Sequence, residues 1–347
     1  MREPTPSSDP AIPRAHRDTA APPASDALAE VLRHVRLESS VFARAALSAP
    51  WAVSTNGLDG GIFHAVVRGR CVAIPSPHED TKKGRAPRPI ELATGDVVLL
   101  PYGDPHVMAD RPGRRAVPIR GRVRTPDDGG VGLLSIDGGG EETSLVCGRF
   151  DVERASSAGG DRSVAGPHPL LGLLPRVVHM RADDPALTAW LPPLVTALAY
   201  ELDHPQPGSG TIITRLADVL VVHAIRACVR DGTTDGGWLG ALRDPRIARA
   251  LDLLHARPRE PWTAAALAEA VGMGRSAFFD RWTVLVGEPP AQYLARWRMH
   301  LAQRSLREGE GSVAEIGRRF GYDSEAAFSR AFKRLVGVSP GTLRRSS

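Results

Sequence analysis

The chain has 347 residues, 42% of them hydrophobic, with 35 glycines and 30 prolines. That is more than one ordinary domain needs and implies several cores joined by many turns. It holds no apolar run long enough to cross a membrane, and its three cysteines, Cys71, Cys147 and Cys228, are too few and scattered for a disulfide framework, which suits the cytoplasm. The net charge is +5, but residues 243–347 carry 18 Lys/Arg against 11 Asp/Glu, a balance of +7 that leaves −2 for the rest. Nearly all of that positive charge is arginine, which pairs bidentately with phosphate and with guanine edges, so the asymmetry suits a nucleic-acid partner, the alternative being a solvated basic face.

Residues 1–25, rich in Pro, Ala and Ser, lack the apolar stretch of a signal peptide and read as a disordered tail. Over 26–49, Leu28, Val31, Leu32 and Val35 repeat at helical spacing behind a candidate N-cap, Asp26, and predict a helix. From Trp51 to about Phe150, short apolar runs alternate with Gly/Pro/Asp turns, the pattern of many short strands in a barrel or sandwich. Residues 151–169 are Gly/Ser-rich and read as a loop. Helical spacing returns at 184–203 and 209–230, with PQPGSG between them, which predicts a helical hairpin. DGTTDGG at 231–237 reads as a flexible linker, and 243–345 reads as all helix.

That last block contains a repeat. LAEAVGMGRSAFFDRWTVLVGEPPAQYL is followed by IGRRFGYDSEAAFSRAFKRLVGVSPGTL; Phe278, Trp282, Gly287 and Pro290 match Phe328, Phe332, Gly337 and Pro340 at an offset of 50. The turn glycines Gly272 and Gly321 are offset by 49, so the second turn is one residue longer. Each copy predicts a short helix (264–271, 313–320), a turn at a glycine, and a second helix from 274/275 or 323/324 with its aromatic pair turned inward. The free face of that second helix suits a major groove. An unbroken helix from Pro290 to Glu308 joins the copies and spans roughly 28 Å, close to the ~34 Å between successive major-groove faces.

On these residues the block resembles the DNA-binding domain of AraC/XylS-type regulators. The resemblance is carried by Trp262-Thr263, Leu267-Ala268, Val271-Gly272-Met273, Arg275-Ser276-Ala277-Phe278, Gly287-Glu288-Pro289-Pro290 and Arg296-Trp297-Arg298-Met299. In the second copy it is carried by Ile316-Gly317, Phe320-Gly321-Tyr322, Phe328-Ser329-Arg330-Ala331-Phe332-Lys333 and Gly337-Val338-Ser339-Pro340. The resemblance implies base-facing positions at Arg275, Ser276, Phe279 and Asp280, and at Glu325, Ala326, Ser329 and Arg330. Arg330 is the candidate reader of a guanine edge, Phe279 of a thymine methyl, and Asp280 of a cytosine amino group or a neighbouring arginine. Asp280 departs from the family, where many members are basic. Arg281, Arg298, Lys333 and Arg334 are the expected phosphate contacts.

In the N-terminal half, Gly95, Pro101, Gly103 and His106 in GDVVLLPYGDPHVMAD resemble the second motif of cupins, small β-barrels that often hold a metal or a small ligand. GGIFHAVVRGRC at 60–71 resembles a degenerate first motif, and LVCGRF at 145–150 and HPLLGLLP at 168–175 also resemble the cupin half of AraC-type regulators. His64, His106 and Cys147 are then either a three-ligand zinc set with one open position or core histidines beside a buried thiol. Cys71 is either a small core residue or a redox-sensing thiol.

The expected fold is α+β: a tail (1–25), a cupin-like β-barrel sensor (26–182), a helical hairpin for linkage and dimerisation (183–237), and an all-α DNA-binding domain with two helix-turn-helix units (238–347). The expected function is that of a regulator, not an enzyme, whose barrel senses a small ligand, a metal or an oxidant. Its expected partners are double-stranded DNA, a second copy and, for an activator, RNA polymerase. Two alternatives stay open: a cupin metalloenzyme tethered to DNA, and a DNA-binding protein whose barrel only dimerises.

Overall fold

The computed structural model describes residues 27–34, 37–58, 60–76, 88–125, 130–152, 173–234 and 237–345. The expected tail and the 151–169 loop lie almost wholly outside these residues.

The chain enters through a short helix, α1 (Ala27–His34), and then a long strand, β1 (Leu37–Ser48). The single helix expected over 26–49 is therefore a helix followed by a strand. Helix-forming residues such as those in ARAALS are drawn into the sheet because β1 lies between two partners. Ala43, Ala45 and Leu47 turn inward on alternate positions while Ala46 faces out.

Ten short strands follow: β2 (Ala52–Thr55), β3 (Gly61–Arg68), β4 (Arg70–Pro75), β5 (Ile90–Ala93), β6 (Val97–Leu100), β7 (His106–Ala109), β8 (Val117–Pro118), β9 (Val123–Arg124), β10 (Gly132–Asp137) and β11 (Glu142–Val152), and a last strand, β12 (Val178–Met180), comes later. They form a seven-stranded sheet ordered β12-β6-β3-β11-β1-β10-β9 and a five-stranded sheet ordered β5-β4-β7-β2-β8. Among the described residues no strand pairing joins the two, so the expected closed barrel is an open pair of facing sheets. Val53, Ala73, Met108, Leu134 and Leu145 fill the space between them.

The other face of the seven-stranded sheet is covered by helices α2 (Leu191–Asp203) and α3 (Ser209–Asp231). This explains β3, where Gly61 to Val66 are all buried: Phe63 and Ala65 meet the helices, while Val66 points between the sheets. The hairpin predicted at 184–203 and 209–230 is present, with a later start for its first helix. Pro192 and Pro193 fit only a first turn, where their missing N–H groups need no partner, so 184–190 forms turns instead.

The helical block starts earlier than the linker reading implied. α4 (Gly237–Ala241) follows at once, with Trp238 and Leu239 buried, and packs on a later helix of the block, α7 (Arg275–Val286). α5 (Pro245–Ala256), α6 (Ala264–Ala270), α8 (Pro290–Arg307), α9 (Val313–Arg319), α10 (Glu325–Val336) and α11 (Pro340–Arg345) complete the block. α1 packs on α5, with Ala27, Leu28 and Val31 buried and His255 Nδ1 donating to the Ala27 carbonyl at 3.3 Å. Tyr293 then donates its hydroxyl to His255 Nε2 at 2.6 Å. Among the described residues no helix is long and apolar enough to cross a membrane.

Candidate nucleic-acid interface

The two copies of the repeat fold alike. In the first, the Thr263 side chain caps α6 by accepting from the Ala266 N–H. Gly272, at φ +65°, then turns the chain, and the Met273 N–H returns to the Ala268 carbonyl at 2.8 Å. In the second, Ser312 and Glu315 form a reciprocal cap on α9, Gly321 turns at φ +86°, and the Tyr322 N–H returns to the Gly317 carbonyl at 3.0 Å. The extra residue of the second turn lies after this shared bond and brings Ser324 into place to cap α10 through the Ala327 N–H. Gly274 gives α7 no such cap.

Inward aromatics fix both second helices. Phe278 and Trp282 of α7 and Phe328 and Phe332 of α10 are fully buried, and Trp282 Nε1 donates to the Glu288 carbonyl at 2.9 Å. At Gly317 a Cβ would stand 3.0 Å from Phe328 Cβ, so glycine lets α9 and α10 approach closely. The opposite faces are open: Arg275, Ser276, Phe279 and Asp280 on α7, and Glu325, Ala326, Arg330, Lys333 and Arg334 on α10, are exposed, with Ser329 half-buried.

Two of the expected phosphate contacts are occupied elsewhere. Arg281 pairs with Asp244 at 2.8 Å, the same carboxylate that caps α5. Arg298 is half-buried and donates to the carbonyls of Pro258 at 2.6 Å and Glu260 at 2.8 Å. Arg298 therefore holds the turn between α5 and α6. Sequence spacing could not show this, because the carbonyls that capture it lie 38 and 40 residues away.

In the sheet domain His64, His106 and Cys147 do meet, but in a row. His106 Nδ1 donates to the Asp104 carbonyl at 2.9 Å, so its Nε2 accepts from His64 Nε2–H at 2.8 Å. His64 Nδ1 is then left to accept from the Cys147 thiol at 3.1 Å. Burial holds both histidines below their ordinary titration range, and it pushes the Cys147 thiol up to about 12. Every group in the row is thus neutral and partnered. A zinc ion does not fit this donor set, because Cys147 and His106 meet opposite edges of the His64 ring and cannot converge on one point. As placed, the three residues do not make the expected three-ligand zinc set. Cys71, the redox candidate, is buried, and burial first and the Asp96 charge second push its thiol up to about 12.

Two helix pairs with buried aromatic inner faces and open outer faces, behind a sheet domain, define the architecture of a DNA-reading regulator. A cupin family profile matches residues 26–230, and a helix-turn-helix domain profile matches residues 267–346. An AraC-like transcription regulator of Streptomyces lividans is 34% identical over 92% of this chain and 98% of its own length. The HTH-type transcriptional regulator AlkR of Acinetobacter baylyi is 28% identical over 93% of this chain and all of its own. Among solved structures, the DNA-binding domain of AdpA in complex with a target DNA is 32% identical over 30% of this chain and 92% of its own, with a TM-score of 0.28. The chain belongs to the AraC-type transcription regulators and carries a cupin domain in its N-terminal part. It is a DNA-binding regulator of that type rather than an enzyme.

Proposed function

We propose that α6–α7 and α9–α10 are two helix-turn-helix units that seat α7 and α10 in successive major grooves on one side of the duplex. The observation that carries this is the joint between them. α8 has 18 unbroken residues, about 27 Å of rigid helix, near the ~34 Å repeat of the groove. Arg330 reads a guanine edge from α10, while Phe279 and Asp280 face base edges from α7. Arg330→Ala is expected to relax sequence preference at one position and to cost ~1–3 kcal/mol of discrimination, read by binding to operators mutated base by base. An equal loss on every sequence would assign Arg330 to phosphate instead.

The cupin domain is the sensor, and its effector is a small molecule, since the histidine row does not suit a metal and the thiols do not suit an oxidant. α1 supports the coupling: it leads directly into β1 of the sensor sheet yet is buried against α5. An effector that favours one placement of β1 biases the DNA-binding block through α1. A second copy docks on the hairpin, where Tyr200, Ile212 and Val219 expose apolar surface. Ile212→Asp is expected to shift the sedimentation of the chain from dimer to monomer. RNA polymerase is the further partner where the output is activation.

A further inference from the structure

We infer that the two reading helices divide the work on DNA: α10 grips the phosphates, while α7 selects pyrimidine edges with almost no grip of its own. This rests on the reading of α7 and α10 as the groove-facing helices.

The comparison is position by position, because the two helices match at an offset of 50. The open stripe of each runs at three- and four-residue spacing. Phe279 stands where α10 has Ser329, Asp280 where it has Arg330, Thr283 where it has Lys333, and Val284 where it has Arg334. At the first position the signs reverse, with Arg275 opposite Glu325. The stripe of α7 therefore sums to zero charge and that of α10 to +2. Arg281, the remaining cation of α7, is paired with Asp244, which offsets its charge. Arg330, Lys333 and Arg334 make no ion pair among the described residues and stay exposed.

What α7 does expose is suited to bases rather than phosphates. Phe279 is 41% and Val284 78% exposed; among the described residues of the block the other exposed large apolar side chain is Leu335 of α10, at 37%. An aromatic ring in a major groove finds its apolar surface at the thymine C5-methyl, and a carboxylate finds its donor at the cytosine N4 amino group. Phosphate oxygens repel Asp280. The half-site beneath α7 is thus chosen by pyrimidines, and the half-site beneath α10 supplies most of the salt-sensitive affinity.

The test uses the full chain and an operator selected from a random duplex pool. The half in which Arg330→Ala relaxes base preference is assigned to α10, and the other half to α7. Lys333→Ala and Arg334→Ala are each expected to lower the slope of log affinity against log salt by about one, and Val284→Arg to raise it by about one. Replacing thymine by uracil in the α7 half removes only the methyl groups and is expected to weaken binding about fourfold per contacted methyl. Phe279→Ala is expected to abolish that difference. These side chains are exposed, so the variants should melt with the wild type. Unchanged slopes in the Lys333 and Arg334 variants, or a uracil effect that survives in Phe279→Ala, overturn the division of work. A pool that yields no preferred sequence overturns the groove-facing reading beneath it.

Discussion

The row from Cys147 through His64 and His106 to Asp104 shows how far a residue list reaches. That these side chains belong together was legible from the two cupin-like motifs. Which edge of each ring they use was not, because that depends on strand register. β11 places Cys147 beside His64 in the ladder, while His106 reaches His64 from the other sheet. The pH dependence follows from the burial. Both histidines are held below the ordinary value of 6.5 when folded, so just below that pH the unfolded chain binds more protons. Folding stability is then fully present above about pH 6.5 and is lost as the pH falls, by up to ~1.4 kcal/mol per pH unit for each histidine. Urea unfolding between about pH 7.5 and about pH 5.5 should show this decline, and His64→Gln, which cannot charge, should make it shallower, leaving the His106 share. A decline of equal steepness in that variant would place the linkage elsewhere.

Among elements, α4, α5 and α11 were not told apart in the sequence, whereas the repeat helices and the helix that joins them, α6 to α10, were legible almost to the residue. Each is bounded by a local signal: Thr263, Ser312 and Ser324 as caps, Gly287 and Gly337 at positive φ as stops, and Pro290 and Pro340 as first-turn residues. The sheets were less legible because their constraints are not local. β1 has helix-forming composition and becomes a strand only because β10 and β11 flank it. Whether strands close into a barrel depends on pairings between segments far apart, for which no short motif exists. One such pairing makes its own prediction. Phe63 lies opposite Gly148, and Phe150 opposite Gly61, across β3 and β11. A Cβ on Gly148 would stand 2.2 Å from the Phe63 ring and 2.8 Å from the Ser40 carbonyl oxygen. Phe63 is fully buried and has no room to retreat. Gly148→Ala is therefore expected to cost ~1–3 kcal/mol in denaturant unfolding, despite adding one methyl group to an apolar site.

For the whole molecule, the decisive feature is that α1 belongs by sequence to the sensor and by packing to the DNA-binding block. Leu28 is 7% exposed and Val31 1%, and each contributes roughly 1.5–3 kcal/mol of burial that holds the two parts as one unit. On the sensor side, β1 is fixed in turn by the Ser39 N–H, which donates to Asp218 of α3 at 3.2 Å, and by an ion pair from Arg44 to Asp203 of α2. α1 in turn packs on α5, which Asp244 and Arg281 tie to α7. On the proposed coupling, the route from the cupin domain to α7 would run through these packed and paired groups. Carboxylates at Leu28 and Val31 would be buried in the contact of α1 with α5 and would break it there. The double variant Leu28→Asp/Val31→Asp is expected to turn one cooperative calorimetric transition into two, with the helical block melting first. Operator affinity should survive at low temperature, because α1 does not touch the outer faces of α7 and α10. A single transition at the wild-type temperature would show that the two parts are held together by other contacts and that α1 transmits nothing.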